Sequence, residues 1–509
     1  MNQLLFERSS GNIGPNVFAR VKTNSLLRSF TAAPRVRFDG GEREPRANQG
    51  ESAAASARGV APDDDSSRSS LWAHQAGVSA LALERFDGRL LVSGGSDATI
   101  KIWDLEQCSN QSASHTYRPL TRATRAGSDH HLGPGAGAKS AAEGHRFGVT
   151  HLSFYAFDSA AFLSSSYDQT LKLWSTERAR VSGSFNLGSK VHTHALSPIA
   201  SHLLVACGTQ HPAVRLVDLR SSAAVQSLVS PGQTGGSAGA TLAVAWSPVH
   251  EHILTTGSVD GAVRIWDVRR ASGLVAVLDH EDTIGLVGTV TSAGSRALGR
   301  QELRLSAKAH AGPVNGLTWT DDGNYIISAG HDRRIRVWDA ATGANTLANF
   351  GPSIRNSQMG TVTMFVSPTG LTPPGNELLF FPNETEILVM DLHEGSIITR
   401  LRGTGPAVAS VRVQRGERTI KNRLTSIAWR GAGGGGSSSG VVMGGSNAPG
   451  GIYSGHLDGQ IRAWLPQLEG TDDEDYDRSM QDVSEVESKK RKALDDAFQS
   501  LMGKQITFS

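Results

Sequence analysis

An aspartate followed six positions later by a tryptophan, each time within a stretch of alternating apolar and polar residues, recurs five times in this chain. The pairs are Asp97 with Trp103, Asp168 with Trp174, Asp260 with Trp266, Asp332 with Trp338 and Asp458 with Trp464, in phrases such as LLVSGGSDATIKIWD and YIISAGHDRRIRVWD. Self-similarity at this spacing marks a repeat architecture and takes precedence over any domain count from length. Two weaker copies fill the gaps: LLVACGTQHPAVRLVDLR sets His211 six before Val217, and LLFFPNETEILVMD sets Glu384 six before Met390, which makes seven units. Period-two alternation around each turn, as where Ile335 and Val337 alternate with Arg334 and Arg336, predicts two antiparallel strands per unit. A third precedes them in VSALAL from Val78, VTHLSFY from Val149, LAVAWSP from Leu242 and VNGLTWT from Val314, and a fourth is expected after each tryptophan.

A four-stranded sheet cannot bury both its faces alone, so the units must stack, and a closed ring shields the ends that an open array would expose. With these repeats the chain resembles the WD-repeat proteins. That resemblance implies an all-β fold, a seven-bladed WD-repeat β-propeller, here with an N-terminal helix-loop-helix. In that family a His, a Ser or Thr, an Asp and the Trp form a buried tetrad in each strong blade. The set is complete in His74, Ser93, Asp97 and Trp103, in His145, Ser164, Asp168 and Trp174, and in His310, Ser328, Asp332 and Trp338. A buried carboxylate requires such partners. His–Asp pairs also suggest a general base oriented by an acid. Recurrence at one offset in three blades assigns them to architecture instead, because catalysis needs one constellation and one nucleophile. No enzyme activity, cofactor or metal is expected, since His130 with His131 and His192 with His194 lack a third ligand at fixed spacing.

Lys and Arg number 50 against 48 Asp and Glu, so no global field draws the chain to nucleic acid or an anionic membrane, and any such contact must be local. No stretch approaches the ~20 apolar residues that span a bilayer. The two cysteines, Cys108 and Cys207, are too few for a disulfide framework and fit a reducing compartment. Gly/Ser-rich interruptions at 108–142, 279–305, 404–423 and 431–450 read as disordered excursions. The expected organisation is a helix-loop-helix at 1–30, a linker at 31–70 with one closing strand near Arg35 to Phe38, the propeller at 71–466 and a charged tail at 467–509. In the tail, Lys489, Lys490, Arg491 and Lys492 form a cluster of the kind nuclear import receptors read, the plainer alternative being a solvated run on a short helix at 488–502. Up to Phe38 only Glu7 opposes Arg8, Arg20, Lys22, Arg28, Arg35 and Arg37, a bias that mitochondrial transit segments share.

Another use of those first residues follows from two phrases further on, Trp266-Asp267-Val268-Arg269 and Val217-Asp218-Leu219-Arg220. They resemble the WD-x-R signature with which substrate receptors of cullin-4 ubiquitin ligases dock on the large subunit of the damaged-DNA-binding adaptor. Val217 departs from that signature and weakens the case for Arg220. An arginine there offers five donors in a rigid fork, suited to an interface, and pairing with a neighbouring strand is the ordinary alternative. MNQLLFERSS reads as a short apolar helix bearing Leu4, Leu5 and Phe6; a Gly/Pro-broken loop and an amphipathic helix with Val17, Phe18, Val21, Leu26 and Leu27 follow. This is similar to the element those receptors insert into the adaptor's cleft, a helix-in-groove mode.

The phrases VHTHALSPIASHLLVACGTQHPAVRLVDLRS and AVAWSPVHEHILTTGSVDGAVRIWDVRRASG narrow the resemblance to the Cockayne syndrome group A receptors of transcription-coupled nucleotide excision repair. It covers most of residues 1–30 and 70–465 and fails over the C-terminal tail. It implies a nuclear, non-enzymatic receptor in which Leu4, Leu5, Phe6, Phe18, Asp218, Arg220, Asp267 and Arg269 hold the adaptor, which brings cullin-4 and its RING subunit. The opposite propeller surface would engage a Cockayne syndrome group B-like ATPase and, indirectly, RNA polymerase II. Direct DNA binding is not expected, because no basic stripe interleaved with aromatics stands out. A cullin-independent WD scaffold of another nuclear complex remains the alternative.

Overall fold

The computed structural model describes residues 2–41, 72–107, 115–124, 144–199, 202–221, 223–229, 239–270, 273–280, 307–368, 372, 375–403, 423–430 and 450–466. Helices α1 (Asn2–Ser9) and α2 (Pro15–Arg28) come first, Pro15 opening the second, where its missing N–H costs nothing. Seven antiparallel sheets follow. Each is a blade whose strands are lettered a to d from the inside outward.

Blade 1 comprises Val78–Leu83, Leu90–Gly95, Ile100–Asp104 and Pro119–Ala123. Blade 2 comprises Val149–Phe154, Ala161–Ser166, Thr170–Ser175 and Arg180–Asn186. Blade 3 has Val191–Leu196, Leu204–Thr209, Val214–Asp218 and Ala223–Leu228, and blade 4 has Thr241–Trp246, Ile253–Ser258, Val263–Asp267 and Leu274–Leu278. In blade 5, Val314–Trp319, Tyr325–Gly330 and Ile335–Asp339 are joined by a single outer bridge, Trp338 to Asn345. Blade 6 has Phe365–Val366, Leu378–Asn383, Glu386–Asp391 and Ile397–Arg402. Blade 7 takes strands a to c from Leu424–Arg430, Gly451–His456 and Ile461–Pro466.

The fourth strand of blade 7 is Phe30–Ala32, with Phe30 opposite Pro466 and Ala32 opposite Trp464. The expected closing strand at Arg35 to Phe38 is thereby corrected. Val36–Phe38 instead pairs in parallel with His115–Tyr117, while Phe38 stacks on Tyr117 and meets Trp103 edge-on. Both segments alternate; the choice falls to Phe30 because its ring fills the gap between blades 6 and 7 against Phe380. The interruption at 108–142 is likewise not wholly an excursion, because Pro119–Ala123 is the fourth strand of blade 1.

Seven apolar clusters among the described residues sit one at each junction between neighbouring blades, which is the signature of a closed ring. The residue six after the turn faces the preceding blade every time. Trp103 packs with Tyr453 of blade 7, Trp174 with Phe162 and blade 1's Val92, and Trp338 with blade 4's Val263. Val217 and Met390 take the same place in blades 3 and 6.

The turns between strands b and c explain a further pattern. At the residue after the aspartate the backbone is left-handed in five blades: Ala98, Gln169 and Arg333 tolerate it, whereas blades 4 and 7 use Gly261 and Gly459. A Cβ at Gly261 would strike the His310 carbonyl, and one at Gly459 the His74 carbonyl. Those glycines lie where the next blade's leading loop docks, with His310 N–H donating to Gly261 O at 2.9 Å and His74 N–H to Gly459 O at 3.0 Å.

Candidate functional site

The three histidine–aspartate sets form relays closed on themselves. In blade 2, Trp174 Nε1 donates to Ser164 Oγ at 2.6 Å, Ser164 pairs with His145 Nε2 at 2.6 Å, and His145 Nδ1 lies 2.8 Å from Asp168 Oδ2. Blade 5 repeats this with Trp338 to Ser328 at 2.9 Å, Ser328 to His310 Nε2 at 2.8 Å, and His310 Nδ1 to Asp332 at 2.9 Å. In blade 1 a threonine intervenes: His74 meets Thr99 Oγ1 at 2.8 Å, and Thr99 donates to Asp97 at 2.7 Å, with Asp97 itself 3.4 Å from His74. Burial works to raise the Asp97 carboxyl, but the bonds from His74 and Thr99 outweigh it and hold the group at about 2. The same balance pulls Asp168 and Asp332 below the ordinary carboxylate range, and burial pushes His145 and His310 down. The carboxylates also accept from backbone N–H groups of the adjoining turns, Gln75 to Asp97 at 3.2 Å, Arg146 to Asp168 at 3.0 Å and Ala311 to Asp332 at 3.3 Å. The structure brings the four residues of each set together, with the histidine ring buried in all three.

The remaining blades vary the set in ways the sequence pattern did not separate. In blade 7 the histidine comes from strand b, His456 Nε2 lying 2.9 Å from Ser454, which accepts from Trp464 Nε1 at 2.9 Å, while Arg462 binds Asp458 at 2.6 Å. In blade 4, Thr256 accepts from Trp266 at 2.8 Å and Arg264 pairs with Asp260. Ten positions before each tryptophan stands a hydroxyl; in blades 3 and 6, where Val217 and Met390 replace tryptophan, that position holds Cys207 and Phe380, both buried. Donor and acceptor are lost together, so neither is orphaned. Burial pushes the Cys207 thiol far up, away from the thiolate form that reacts.

Two ends of the ring are thus distinct. One carries the turns between strands b and c and the tetrads; the other carries the turns between a and b and those after strand c. Strand c of blade 4 runs Val263 to Asp267, so Arg269 leaves at the end opposite the tetrads, and Arg220 leaves blade 3 at the same end. The closing strand runs antiparallel to Ile461–Pro466 with Phe30 beside Pro466, so α2 joins the ring from that same end. Leu27 and Phe30 are buried in the cluster between blades 6 and 7, anchoring the helix to the ring. Leu5 and Val17 are exposed and Phe6 is 71% exposed, while Phe18 is half-buried and the side chain of Leu4 is outside the described residues.

Asp267 is buried and grips Arg269 with both oxygens, from Nε at 3.1 Å and Nη2 at 3.0 Å, while the arginine side chain stays 64% exposed. The Arg269 hydrogen bond holds the Asp267 carboxyl below its usual range. The pairing orients the fork outward and uses two of its five donors. Arg220 is exposed too, but Asp218 accepts only its backbone N–H, at 2.9 Å. Beside Arg269 lies an open hollow of about 500 Å³ lined by Ile199, Val249, Glu251 and His252. Ile199 and Val249 are exposed in the a–b turns of blades 3 and 4. Neither stood out by repeat or charge, and the parallel phrases SPIAS and SPVHE held the only signal in the residues. Lys489, Lys490, Arg491 and Lys492 lie outside the described residues, as do His130 and His131. Among the described residues no helix is long and apolar enough to cross a membrane, and no group of three His, Cys, Asp or Glu could hold a metal ion.

Ring, relays and repeat together define a WD-repeat β-propeller. The family model described as WD domain, G-beta repeat, matches residues 66–104, 139–175, 231–267 and 301–339. The chain is 30% identical over 328 residues to the WD repeat-containing protein ATCSA-1 of Arabidopsis thaliana, an alignment covering 54% of this chain and 69% of that protein. The chain belongs to that family, the Cockayne syndrome group A type of WD-repeat protein. It is also 27% identical to Radiation-sensitive protein 28 of Saccharomyces cerevisiae, over 38% of each chain. With the ribosome biogenesis protein ytm1 of Aspergillus terreus it shares 28% identity, over 52% of this chain and 54% of that one.

Proposed function

We propose that this chain is the substrate-recognition subunit of a cullin-4 RING ubiquitin ligase acting in transcription-coupled nucleotide excision repair in the nucleus. The supporting observation is that α2 joins the ring at the end from which Arg220 and Arg269 project. One partner can then grasp the helical hook and the arginine turns together. The adaptor's large subunit is that partner, with α1, α2, Arg269 and the hollow beside Ile199 and Val249 as its footprint. Asp267 pre-orients the arginine, which lowers the ordering cost of binding. Cullin-4 and the RING subunit follow through the adaptor, and a Cockayne syndrome group B-like ATPase at stalled RNA polymerase II is held at the tetrad end. The chain's contribution is geometry, with ubiquitin transfer left to other subunits.

The test is capture of purified adaptor by the full chain, by a chain lacking residues 1–28, and by Arg269→Ala. The deletion stops before Phe30, because that residue closes the ring. Each change should weaken capture about tenfold or more, the scale of an interface anchor. Equal capture by all three would end the reading. The likeness to a ribosome biogenesis protein favours a second one, a cullin-independent scaffold of another nuclear complex. Purification of the tagged chain without adaptor or cullin would select it.

A further inference from the structure

Among the described residues, the exposed charges in the turns of the tetrad end are of one sign. In the described turns between strands d and a and between b and c, the exposed charged side chains are Arg35, Arg146, Lys190, Lys308, Arg333, Arg334 and Arg355. All seven are cations. None of the described carboxylates of the same turns is exposed: Asp97, Asp168 and Asp332 are held by their histidines, Asp260 and Asp458 by Arg264 and Arg462, Glu384 lies half-buried beside Ser357 and Arg423, Asp39 is half-buried and Asp279 is buried. Near-neutrality of the whole chain hides this segregation, which arises because the described anions of these turns are paired within the fold, while among the cations only Arg264, Arg336, Arg423 and Arg462 pair with them.

At the centre of this end a strap from blade 5 to blade 6 crosses the mouth of the ring. Thr361 Oγ1 donates to Leu242 O of blade 4 at 2.7 Å, and Gln358 Nε2 to Leu424 O of blade 7 at 2.6 Å. Gln358 O accepts from Asn315 at 2.8 Å and from His331 at 2.7 Å, and Gly360 O accepts from Asn315 at 3.2 Å. Between these pinned neighbours Met359 stands 82% exposed, the most exposed large apolar side chain among the described residues. Tyr167, Val259 and Leu457 are exposed in the surrounding b–c turns. The pinned backbone fixes where the methionine stands, so only its side chain must be ordered on binding, and thioether side chains adapt to varied partners.

We propose that the tetrad end binds an acidic peptide segment of a partner protein, whose aliphatic side chains pack on Met359 while its carboxylates meet the surrounding arginines and lysines. The charge asymmetry selects an anion, and the aliphatic centre selects a peptide, because a phosphodiester strand would leave Met359, Val259 and Leu457 uncovered. This deepens the proposed function and rests on it only in leaving this end free of the adaptor.

Random dodecapeptides displayed on phage are selected against the immobilised full chain, and enriched sequences are synthesised and titrated. Enriched peptides should combine Asp or Glu with Leu, Ile, Met or Phe. Their affinity should fall about tenfold in Met359→Asp and in the Arg333→Glu, Arg334→Glu double variant, and weaken with added salt. Enrichment of nothing, enrichment without acidic residues, or binding unchanged in both variants would overturn the proposal, as would a duplex oligonucleotide that displaces the peptides through the same arginines. Adaptor capture should be unchanged in both variants; its loss would refute the division of partners between the two ends. Failure of the adaptor to bind the unaltered chain would sink only the ligase reading, and acidic peptide binding would still stand.

Discussion

At the scale of single residues, stability turns on hydroxyls that serve two partners. Ser328 accepts from Trp338 and pairs with His310, so Ser328→Ala orphans two buried nitrogens and should cost ~1–3 kcal/mol, read as a lower denaturant midpoint. Cys207→Ser should also destabilise, because Val217 offers no N–H to the new hydroxyl. Acid acts in two stages. His151, on the innermost strand of blade 2, is pushed down by burial to about 4, and His194, stacked edge-on at 4.7 Å, lies well below its ordinary value. Both remain neutral in the fold while the unfolded chain takes up protons near 6.5, so stability held above that pH falls between about 6.5 and 4. Asp97, Asp168 and Asp332 are depressed from about 3.8, so their contribution is present above 3.8 and is lost as pH falls below it, through about 2 for Asp97 and lower for the other two. Unfolding midpoints across pH should therefore begin to fall near 6.5, and His151→Phe should remove much of that first decline. A midpoint flat down to pH 4 would refute it.

Among the elements, the N-terminal segment has two jobs divided at Ser29. Upstream, α1 and α2 leave Leu5, Phe6 and Val17 exposed; downstream, Phe30–Ala32 completes blade 7. Removal of residues 1–28 should leave a folded ring, with some loss from Leu27. Removal of residues 1–33 exposes a strand edge and empties the place of Phe30, a loss of at least ~3–5 kcal/mol, visible as a marked fall in melting temperature. The tight turns give a second contrast. Gly261→Ala drives a methyl into the His310 carbonyl and forces a left-handed alanine, whereas Ala98 occupies the same turn position in blade 1 without such a clash. A clear drop in stability is expected for the blade 4 variant, measured by urea unfolding.

Over the whole molecule, ring closure converts a one-dimensional repeat into two opposed ends of different chemistry. Seven junction clusters fix the order of the blades, and strand polarity then decides which turns share an end. Asp267→Asn tests one end: it keeps the size of the side chain but releases the Arg269 fork, so adaptor capture should weaken severalfold while the melting curve changes little. A loss of capture matched by a loss of folding would remove the positioning role assigned to Asp267.

The repeat itself was legible in the residues. Period-two alternation and the six-residue offset depend on neighbours within one blade, and local physics suffices to read them, whereas the three full tetrads were implied by the resemblance to the WD-repeat proteins. Even the weak copies at Val217 and Met390 could be recognised by offset alone. What the chain order could not reveal was any relation between distant segments. Phe30–Ala32 and Val36–Phe38 alternate equally well, and only the vacancy between blades 6 and 7 chooses between them. The strand at Pro119–Ala123 was masked by its Gly/Ser-rich surroundings, because its partner lies across a turn and not beside it in sequence. The convergence of α2 with Arg269 at one end, and the gathering of exposed cations and Met359 in the turns of the other, are properties of a closed circle. They exist only once blades far apart in the chain share their apolar faces.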